Sequence, residues 1–362
     1  MKIAVLGLSI TSSWGNGHAT TYRALMRALA ARQHEVLFLE RDVPWYARHR
    51  DLAHPRWCKV RLYRTLPELM DGYRDQVAGA DLVIVGSYVP DGAEVGAWVT
   101  ATARGLTAFY DIDTPVTLAA LERGRCTYLT SALVPRFDLY LSFTGGPPLE
   151  RLERRYRARA ARPLYGSFDP DQYFPEVRER RWDLGHLGTY AACHQPVVER
   201  LLVEPARRWR KARMVVAGPQ YPPGLRWPKN VARIDPLAPP DHRAFYAAQR
   251  FTLNATRADL VGAGYSPSVR LFEAAACGTP ILSDRWRGLE AFFRPGEEIL
   301  VAGGPADVLR ALRKMPDAAA RAMAERARAR VLAEHTSAHR ALELERYVSE
   351  LERRRRRASR SA

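Results

Sequence analysis

Residues 266–284 read Ser-Pro-Ser-Val-Arg-Leu-Phe-Glu-Ala-Ala-Ala-Cys-Gly-Thr-Pro-Ile-Leu-Ser-Asp, a stretch that contains a helix start, a helix stop and a strand. Ser266 is a favourable N-cap, and Pro267 suits the first helical position. Gly278, followed by Pro280, ends the predicted helix about three turns later. The short apolar run after it is typical of a buried strand.

The predicted helix has one slim apolar face. Small and apolar residues that can lie closely on a sheet form this face, namely Leu271, Ala274, Ala275 and Cys277. This pattern places Arg270 and Glu273 on the open side of the helix, near its positively charged N-terminal end. An anion and a sugar hydroxyl would find complementary groups there. The stretch therefore predicts a nucleotide-binding corner.

The bulk composition predicts a two-domain globular protein. The 362 residues exceed what one hydrophobic core usually supports, and 47% apolar with 26% charged residues is an ordinary globular balance. Residues 1–7 are typical of a first buried strand rather than of a signal peptide, so we expect a cytoplasmic protein. The four cysteines are far apart and form no C-x-x-C pair, which argues against a disulfide framework or a zinc site.

The chain is strongly basic, with 56 basic and 39 acidic residues and a formal charge of +17. Part of the excess is the run of five arginines from Arg353 to Arg357. Such a run suits an anionic membrane surface, where the protein would sit peripherally at the inner face. The more common explanation for such a run is a solvated helix end that frays. Charge alone identifies no partner, and we regard nucleic acid as the less favoured one.

Short apolar runs alternate with helical stretches, which predicts parallel sheets with helices on both faces. The predicted strands are Lys2–Gly7, Glu35–Leu39, Leu82–Val85, Thr107–Tyr110, Leu139–Phe143, Leu184–Leu187, Met214–Ala217, Val231–Ile234, Phe251–Asn254, Pro280–Ser283 and Ile299–Val301. The pattern is interrupted by a turn-rich segment and then restarts. We therefore expect an N-terminal domain at 1–165, a linker at 166–177, a second domain at 178–335, and a helix with an arginine-rich tail at 336–362.

One block of the chain closely resembles the donor-binding half of the CgeB-like glycosyltransferases, which belong to the group 1 enzymes of GT-B fold. The block runs from Phe251 to Asp284 and contains Gly264-Tyr-Ser-Pro-Ser-Val-Arg-Leu-Phe-Glu-Ala-Ala-Ala-Cys-Gly278. Further segments agree with the family, so that the resemblance covers nearly the whole chain. These segments are Ser12–His18, Phe109–Pro115, Leu164–Pro170 and Gly288–Glu298.

The resemblance implies two Rossmann-like domains that face each other across a cleft, with the acceptor on the first and a nucleotide-sugar donor on the second. The glutamate before the A-x-A-C-G run binds the ribose hydroxyls in related enzymes, and here it is Glu273. The alternative for Glu273 is an ordinary helix salt pair with Arg270. Many group 1 enzymes carry a second glutamate eight positions earlier, where this chain has Tyr265. That departure leaves the stereochemistry of transfer open.

Sugar transfer builds negative charge on the departing diphosphate, which needs cationic or amide groups. Our candidates are Arg270 and Arg257, since a guanidinium matches phosphate oxygens. Ser266 and Ser268 would add hydroxyls at the helix start. In the loop after the first strand of the second domain, Gly188–Tyr190 would line the donor pocket. Either arginine has the alternative of a surface charge or an interdomain ion pair. We expect no metal and no cofactor besides the nucleotide-sugar co-substrate.

Three residues of the first domain are candidates for acceptor chemistry. Asp111 and Asp113 follow a predicted strand, where either would orient or deprotonate an acceptor hydroxyl. The alternatives are capping of the next helix and a D-x-D metal site, of which the second is the weaker because it falls in the wrong domain. His18 follows the glycines at 15 and 17 and suits general-base work or a phosphate contact, unless it only caps or packs.

Two other functions compete with sugar transfer. A nicotinamide-dependent oxidoreductase is suggested by Glu40, at the end of the second strand, but Ser9 and Ser12 stand where its glycine fingerprint needs glycines. A basic module that binds nucleic acid or a membrane surface is suggested by the arginine run. The sequence favours a metal-independent glycosyltransferase over both.

Overall fold

The computed structural model describes residues 1–235 and 237–361. The chain divides into two compact units. The first unit comprises residues 1–166 together with the chain from Ser337 onward, and the second comprises residues 167–336. Each unit is built around one parallel sheet.

The first unit contains a seven-stranded sheet in the order β3-β2-β1-β4-β5-β6-β7. Its strands are β1 Lys2–Gly7, β2 Glu35–Arg41, β3 Lys59–Tyr63, β4 Leu82–Gly86, β5 Leu106–Asp111, β6 Leu139–Ser142 and β7 Ala161–Pro163. All neighbouring strands pair in parallel. Because the winding reverses between β1 and β4, a crevice is expected between the loops at their carboxyl ends.

Helices cover the first sheet on both faces, which explains why every residue of β4 and β5 is buried. These helices are α1 Gly17–Ala31, α2 Pro44–Ala47, α3 Leu66–Gly72, α4 Arg74–Ala78, α5 Gly92–Thr102, α6 Thr114–Glu122 and α7 Pro147–Arg154.

The second unit contains a six-stranded parallel sheet in the order β10-β9-β8-β11-β12-β13. Its strands are β8 Trp182–Leu187, β9 Met214–Ala217, β10 Val231–Ile234, β11 Gln249–Asn254, β12 Ile281–Ser283 and β13 Leu300–Val301. Its helices are α8 Gln195–Val198, α9 Glu204–Arg208, α10 His242–Ala247, α11 Ala258–Ala263, α12 Val269–Ala276, α13 Pro305–Lys314 and α14 Asp317–Glu334, and a π-helical turn at Glu199–Val203 joins α8 to α9. The winding reverses between β8 and β11, so a second crevice is expected there.

The last helix, α15 Ser337–Ser361, packs on the first unit. Leu344 and Tyr347 join the core beneath α1. Glu345 accepts hydrogen bonds from Arg32 at 2.7 Å and lies 2.6 Å from His34. The arginine run Arg353–Arg357 lies within this helix, and Arg355 donates to Asp138 at 2.9 Å.

The predicted α/β architecture of two doubly wound domains is confirmed. Strands β1, β9 and β10 have the predicted bounds, whereas β3 and β7 were missed. Strand β3 lies at an edge and carries exposed Lys59 and Arg61, so its apolar signal is weak. Strand β7 has only three residues.

The predicted start of α12 is wrong by two residues. The helix begins at Val269 with Ser268 as its N-cap, because the preceding chain stays extended and the N–H of Tyr265 donates to the carbonyl oxygen of Arg287 at 2.7 Å. The predicted stop is confirmed: Gly278 has φ of +70°, the left-handed conformation that ends many helices.

Asp111, the last residue of β5, is completely buried. Tyr140 donates to its carboxylate at 2.6 Å and Thr117 at 2.8 Å. Burial raises the pKa of Asp111 to about 6, although these hydrogen bonds act in the opposite direction. The expectation that Asp111 reaches an acceptor is therefore wrong in this structure, because its oxygens are used inside the core.

We predict that the Asp111→Asn variant gains stability relative to the parent protein as the pH rises. A raised carboxyl pKa means that the folded state binds the proton more tightly, so its contribution is favourable at low pH and is lost as the pH rises through about 6. Between pH 5 and pH 8 the difference in unfolding free energy should change by roughly 1–3 kcal/mol in favour of asparagine. Urea unfolding across this range measures it, and a pH-independent difference would contradict the assignment.

Candidate functional site

Two loops approach closely at the carboxyl edge of the second sheet. Gly188 follows β8 and Gly218 follows β9. A Cβ at Gly218 would lie 2.2 Å from the carbonyl oxygen of Gly188, and Gly218 has φ of +127°. Only glycine fits this position without strain. The edge of the sheet is thereby kept open next to the first turn of α12.

Arg270 extends from the first turn of α12 toward Gly188. A Cβ at Gly188 would lie 2.9 Å from Nη1 of Arg270, so the missing side chain provides room for the guanidinium. Nη2 lies 3.5 Å from the carbonyl oxygen of Ala255, and Nε is buried without a hydrogen-bond partner. Within the described residues Arg270 forms no ion pair. The site therefore contains a cation whose charge the protein leaves uncompensated.

Two neutral histidines accompany Arg270. Nδ1 of His186 donates to the carbonyl oxygen of Leu253 at 3.0 Å, since a carbonyl can only accept, and this leaves Nε2 unprotonated. Burial, followed by the charge of Arg270, lowers the pKa of His186 and of His194 to about 3. Both rings therefore stay neutral at physiological pH, and neither adds to the positive charge of the site.

A second cation and three aromatic rings border the same edge, and of these the sequence interpretation named only Tyr190. Arg233 donates to the carbonyl oxygens of Val216 at 2.7 Å and Gly218 at 2.9 Å. Its guanidinium lies 4.0 Å from the ring centre of Tyr221 and 5.4 Å from that of Trp227. Tyr190 lies 5.5 Å from Tyr221. Arg233, Tyr221 and Trp227 lie among turn-forming residues and match no known sequence motif, so the sequence gives no signal for them.

Glu273, one turn after Arg270, is only 3% exposed, so the expectation that it lies on the open side is wrong. Tyr246 donates to Oε2 at 3.2 Å, and Nδ1 of His242 lies 3.9 Å away. Burial and then Glu273 raise the pKa of the hydroxyls of Tyr173 and Tyr246. Tyr173 comes from the predicted linker, whose aromatic residues were the only signal for this neighbourhood.

The predicted salt pair between Glu273 and Arg270 does not form. Both residues are described, and neither has an ion pair with the other. Glu273 is directed to the tyrosines, whereas Arg270 is directed to the Gly188 loop. The alternative of an ordinary helix salt pair is therefore wrong for this structure.

The other predicted donor residues surround this edge. Ser266 is 3% exposed, and Ser268 and Arg257 are half-buried at the N-caps of α12 and α11. Tyr265 has φ of +49°, and its ring lies against Gly288, where a Cβ would be 2.4 Å from the ring. The position where related enzymes carry a sugar-contacting glutamate is thus occupied by a packed ring.

The carboxyl edge of the first sheet brings two predicted residues near one tyrosine. The ring of His18 lies 5.4 Å from that of Tyr88 in an edge-to-face arrangement. Tyr88 donates to Asp113 at 3.2 Å. Asn16, rather than His18, is the N-cap of α1, so the capping alternative for His18 is wrong. Asp113 is the N-cap residue of α6, as its alternative predicted, although its side chain makes no capping hydrogen bond.

Glu40 fixes the loop after β1. Its buried carboxylate accepts hydrogen bonds from the hydroxyls of Ser9 and Thr11 at 2.9 and 2.6 Å and from the amides of Ile10 and Thr11 at 2.7 and 3.0 Å. Glu40 is 0% exposed. With all these donors in place it cannot bind the ribose of a nicotinamide cofactor, so the oxidoreductase alternative loses its key acid.

In the described part of the chain no three His, Cys, Asp or Glu side chains come together as a metal site would require. Among the described helices, none has both the length and the apolar character needed to span a membrane.

Residues 194–346 match the family model described as "Glycosyl transferase-like". No curated protein sequence matches the chain significantly.

Solved structures match over almost the whole chain. Sucrose-phosphate synthase from Thermosynechococcus elongatus has a TM-score of 0.71 at 16% identity, covering 97% of this chain and 99% of that one. Alr3699/HepE from Anabaena, in complex with UDP and glucose, has a TM-score of 0.69 at 14% identity, covering 97% and 100%. An α-glucosyltransferase in complex with UDP-glucose and DNA containing an abasic site has a TM-score of 0.72 at 14% identity, covering 96% and 99%.

At these identities the likeness defines the fold, and the chain has the GT-B fold. The family-model match describes residues 194–346, which lie mostly in the second unit, as glycosyl transferase-like.

Proposed function

We propose that the protein is a CgeB-like glycosyltransferase that moves a sugar from a nucleoside-diphosphate donor to an acceptor hydroxyl without a metal ion. The second unit binds the donor and the first unit binds the acceptor. UDP or UDP-glucose is bound in several proteins of the same fold, which makes UDP the first nucleotide to test.

The observation that carries this proposal is the uncompensated charge of Arg270 beside Gly188. A guanidinium held without a carboxylate partner is costly unless a ligand supplies the anion. The donor diphosphate supplies it, and the leaving group gains charge during transfer. Arg270 therefore stabilises the transition state more than the ground state. Amides at the start of α12, with Ser268 and Arg257, complete the phosphate contacts.

Glu273 is assigned to the ribose of the donor. Tyr246 donates to Oε2 at 3.2 Å and orients the carboxylate. A carboxylate held by a tyrosine is already oriented before the ligand arrives, which lowers the cost of binding. Gly188 would let the donor approach the backbone closely.

The acceptor chemistry is assigned to Asp113 with His18. Tyr88 orients Asp113, and the half-buried carboxylate can accept the proton of an acceptor hydroxyl. Asp111, being buried, takes no part in this step. Because Asp111 is unavailable as a ligand, the D-x-D pair is a poor metal site, which supports charge neutralisation by Arg270 instead.

The arginine helix supplies a second proposal, that the protein docks peripherally on the anionic inner face of the membrane. Arg353, Arg354, Arg356 and Arg357 are exposed on α15. Arg355 is anchored to Asp138 and to the carbonyl oxygen of Gly105. This anchor holds the helix end in place, so the neighbouring arginines form a persistent basic surface rather than a frayed tail.

We predict that UDP, or another member of a panel with GDP, dTDP, ADP and CMP, stabilises the protein in the presence of EDTA. A specific ligand at 100 times its Kd should add about 2.7 kcal/mol to the unfolding free energy. Arg270→Ala should weaken the affinity roughly 10- to 100-fold, because it removes charge-assisted hydrogen bonds. Thermal shift titration measures both.

The matched control is Arg285→Ala, since Arg285 lies in the same unit with a side chain that is 71% exposed. It should leave the affinity unchanged. Equal loss in both variants would show a general effect of charge, and full affinity in Arg270→Ala would refute the phosphate assignment.

We predict that Glu273→Gln abolishes discrimination between a ribonucleoside diphosphate and its 2′-deoxy analogue. The parent protein should prefer the ribose form roughly 10-fold, as expected for a lost hydrogen bond to a charged group. Calorimetric titration of UDP and dUDP into both proteins measures the preference. An unchanged preference in Glu273→Gln would remove Glu273 from the ribose site, and Tyr246→Phe should weaken the preference only partly.

We predict that changing Arg353, Arg354, Arg356 and Arg357 together to Gln weakens binding to phosphatidylserine-containing vesicles at least about tenfold. Each arginine near an anionic surface contributes about 1 kcal/mol. Arg355 is retained because it anchors the helix. Vesicle sedimentation gives the measurement, with the corresponding four-lysine variant as a charge-matched control. Binding that is unaffected by the Gln changes would exclude this surface.

A further inference from the structure

The first unit carries a cluster of aromatic rings that the proposed chemistry does not use. Trp14, in the loop after β1, stacks on His49 with ring centres 4.8 Å apart and planes within 7°. Trp45, on α2, lies 5.4 Å from His49 and is 54% exposed. We call Trp14, Trp45 and His49 the aromatic platform. Among the described residues, Trp45 is one of four large apolar side chains that are exposed.

Hydrogen bonds hold the backbone of the platform in one arrangement. The hydroxyl of Ser12 donates to the carbonyl oxygen of His49 at 2.8 Å. Asp51 accepts from the amide of Ser13 at 2.9 Å and from both Nη atoms of Arg23 at 2.9 and 2.7 Å. Glu40 also fixes the first part of the loop that contains Trp14, because its carboxylate accepts a hydrogen bond from the amide of Ile10. A platform ordered before the ligand binds loses little entropy on binding.

The platform also carries a hydrogen-bond acceptor. Nδ1 of His49 lies 2.8 Å from the carbonyl oxygen of Trp45 and must donate to it, because a carbonyl only accepts. In the neutral ring Nε2 is therefore an acceptor. Within the described chain Nε2 has no hydrogen-bond partner, and it is not among the buried unpaired atoms. It is available to a ligand that lies on the rings.

We propose that the aromatic platform binds a pyranose ring and that the acceptor of the reaction is a carbohydrate. This inference rests on the proposed glycosyl transfer, in which the first unit binds the acceptor. One face of a pyranose presents C–H groups that pack on the negative face of an indole, while its edge presents hydroxyl groups. Trp45 supplies the face and His49 Nε2 accepts from a hydroxyl.

Charged groups around the platform favour a sugar over a wholly apolar acceptor. Asp51 has a side chain that is 37% exposed, and Arg48 is exposed at the end of α2. An apolar acceptor would desolvate these groups without compensating them, whereas sugar hydroxyls can hydrogen-bond to both. The mixture of ring faces and polar edges therefore matches the mixed surface of a carbohydrate.

Saturation-transfer NMR with methyl glucoside, methyl galactoside, methyl mannoside, maltose and cellobiose tests the proposal. At least one sugar should receive saturation at its ring C–H protons from the parent protein. Trp45→Ala should weaken that sugar's affinity roughly three- to tenfold, the range for a lost aromatic contact. Because Trp45 is exposed, the variant should melt with the parent protein, and Phe174→Ala is the matched change of an exposed aromatic in the other unit.

Two variants of His49 separate its ring from its acceptor. His49→Phe keeps a ring for Trp14 and removes the acceptor, whereas His49→Gln keeps an acceptor and removes the stacking. If both functions contribute, each variant should bind more weakly than the parent protein and more tightly than His49→Ala. Binding that is equal in the parent protein, Trp45→Ala and His49→Ala would overturn the proposal.

Nucleotide titrations on the same samples distinguish this inference from the proposed function. Nucleotide stabilisation without any sugar signal would refute the platform and leave sugar transfer intact. Sugar binding lost in Trp45→Ala, without nucleotide stabilisation, would establish the platform as a carbohydrate site and refute the transferase. Sugar binding that is lost equally in Phe174→Ala would also refute the platform.

Discussion

The absence of a side chain at Gly188 is the constraint on which the second unit depends. A Cβ there would meet both Arg270 and His186, and a Cβ at Gly218 would meet the backbone of the Gly188 loop. Because both positions are glycine, these clashes do not arise, and Arg270 can lie against the carboxyl edge of a parallel sheet. In the described chain no carboxylate forms an ion pair with it. Burial then keeps two neighbouring histidines neutral, so the positive charge at this edge lies on the guanidinium groups of Arg270 and Arg233.

Buried carboxylates play different roles in the first unit because their partners differ. Glu40 receives hydrogen bonds from loop amides and hydroxyls and so organises the corner after β1. Asp111 receives them mainly from side chains inside the core, and burial raises its pKa to about 6. Asp113, two residues later, remains half-buried and is oriented by Tyr88. Two carboxylates only two residues apart at the end of β5 therefore differ in role: Asp111 belongs to the core, whereas Asp113 is partly exposed.

The sequence predicted those parts of the fold that local patterns determine. Alternating apolar runs identified both sheets, and Gly278 identified the end of α12, because each signal lies within a few residues. The burial of Glu273 could not be predicted, since it depends on Tyr173 and Tyr246, which are far away in sequence. The start of α12 was missed because the pairing of Tyr265 with Arg287 outweighs the capping preference of Ser266.

The return of α15 to the first unit affects how the chain can fold. The second unit, residues 167–336, lies in sequence between two parts of the first. During synthesis the second unit emerges before the first is complete, so the apolar surface beneath α1 stays uncovered until Leu344 and Tyr347 arrive. Residues that follow the second unit in the chain therefore complete the core of the first unit. A chain that stops before α15 would therefore keep the apolar surface beneath α1 exposed.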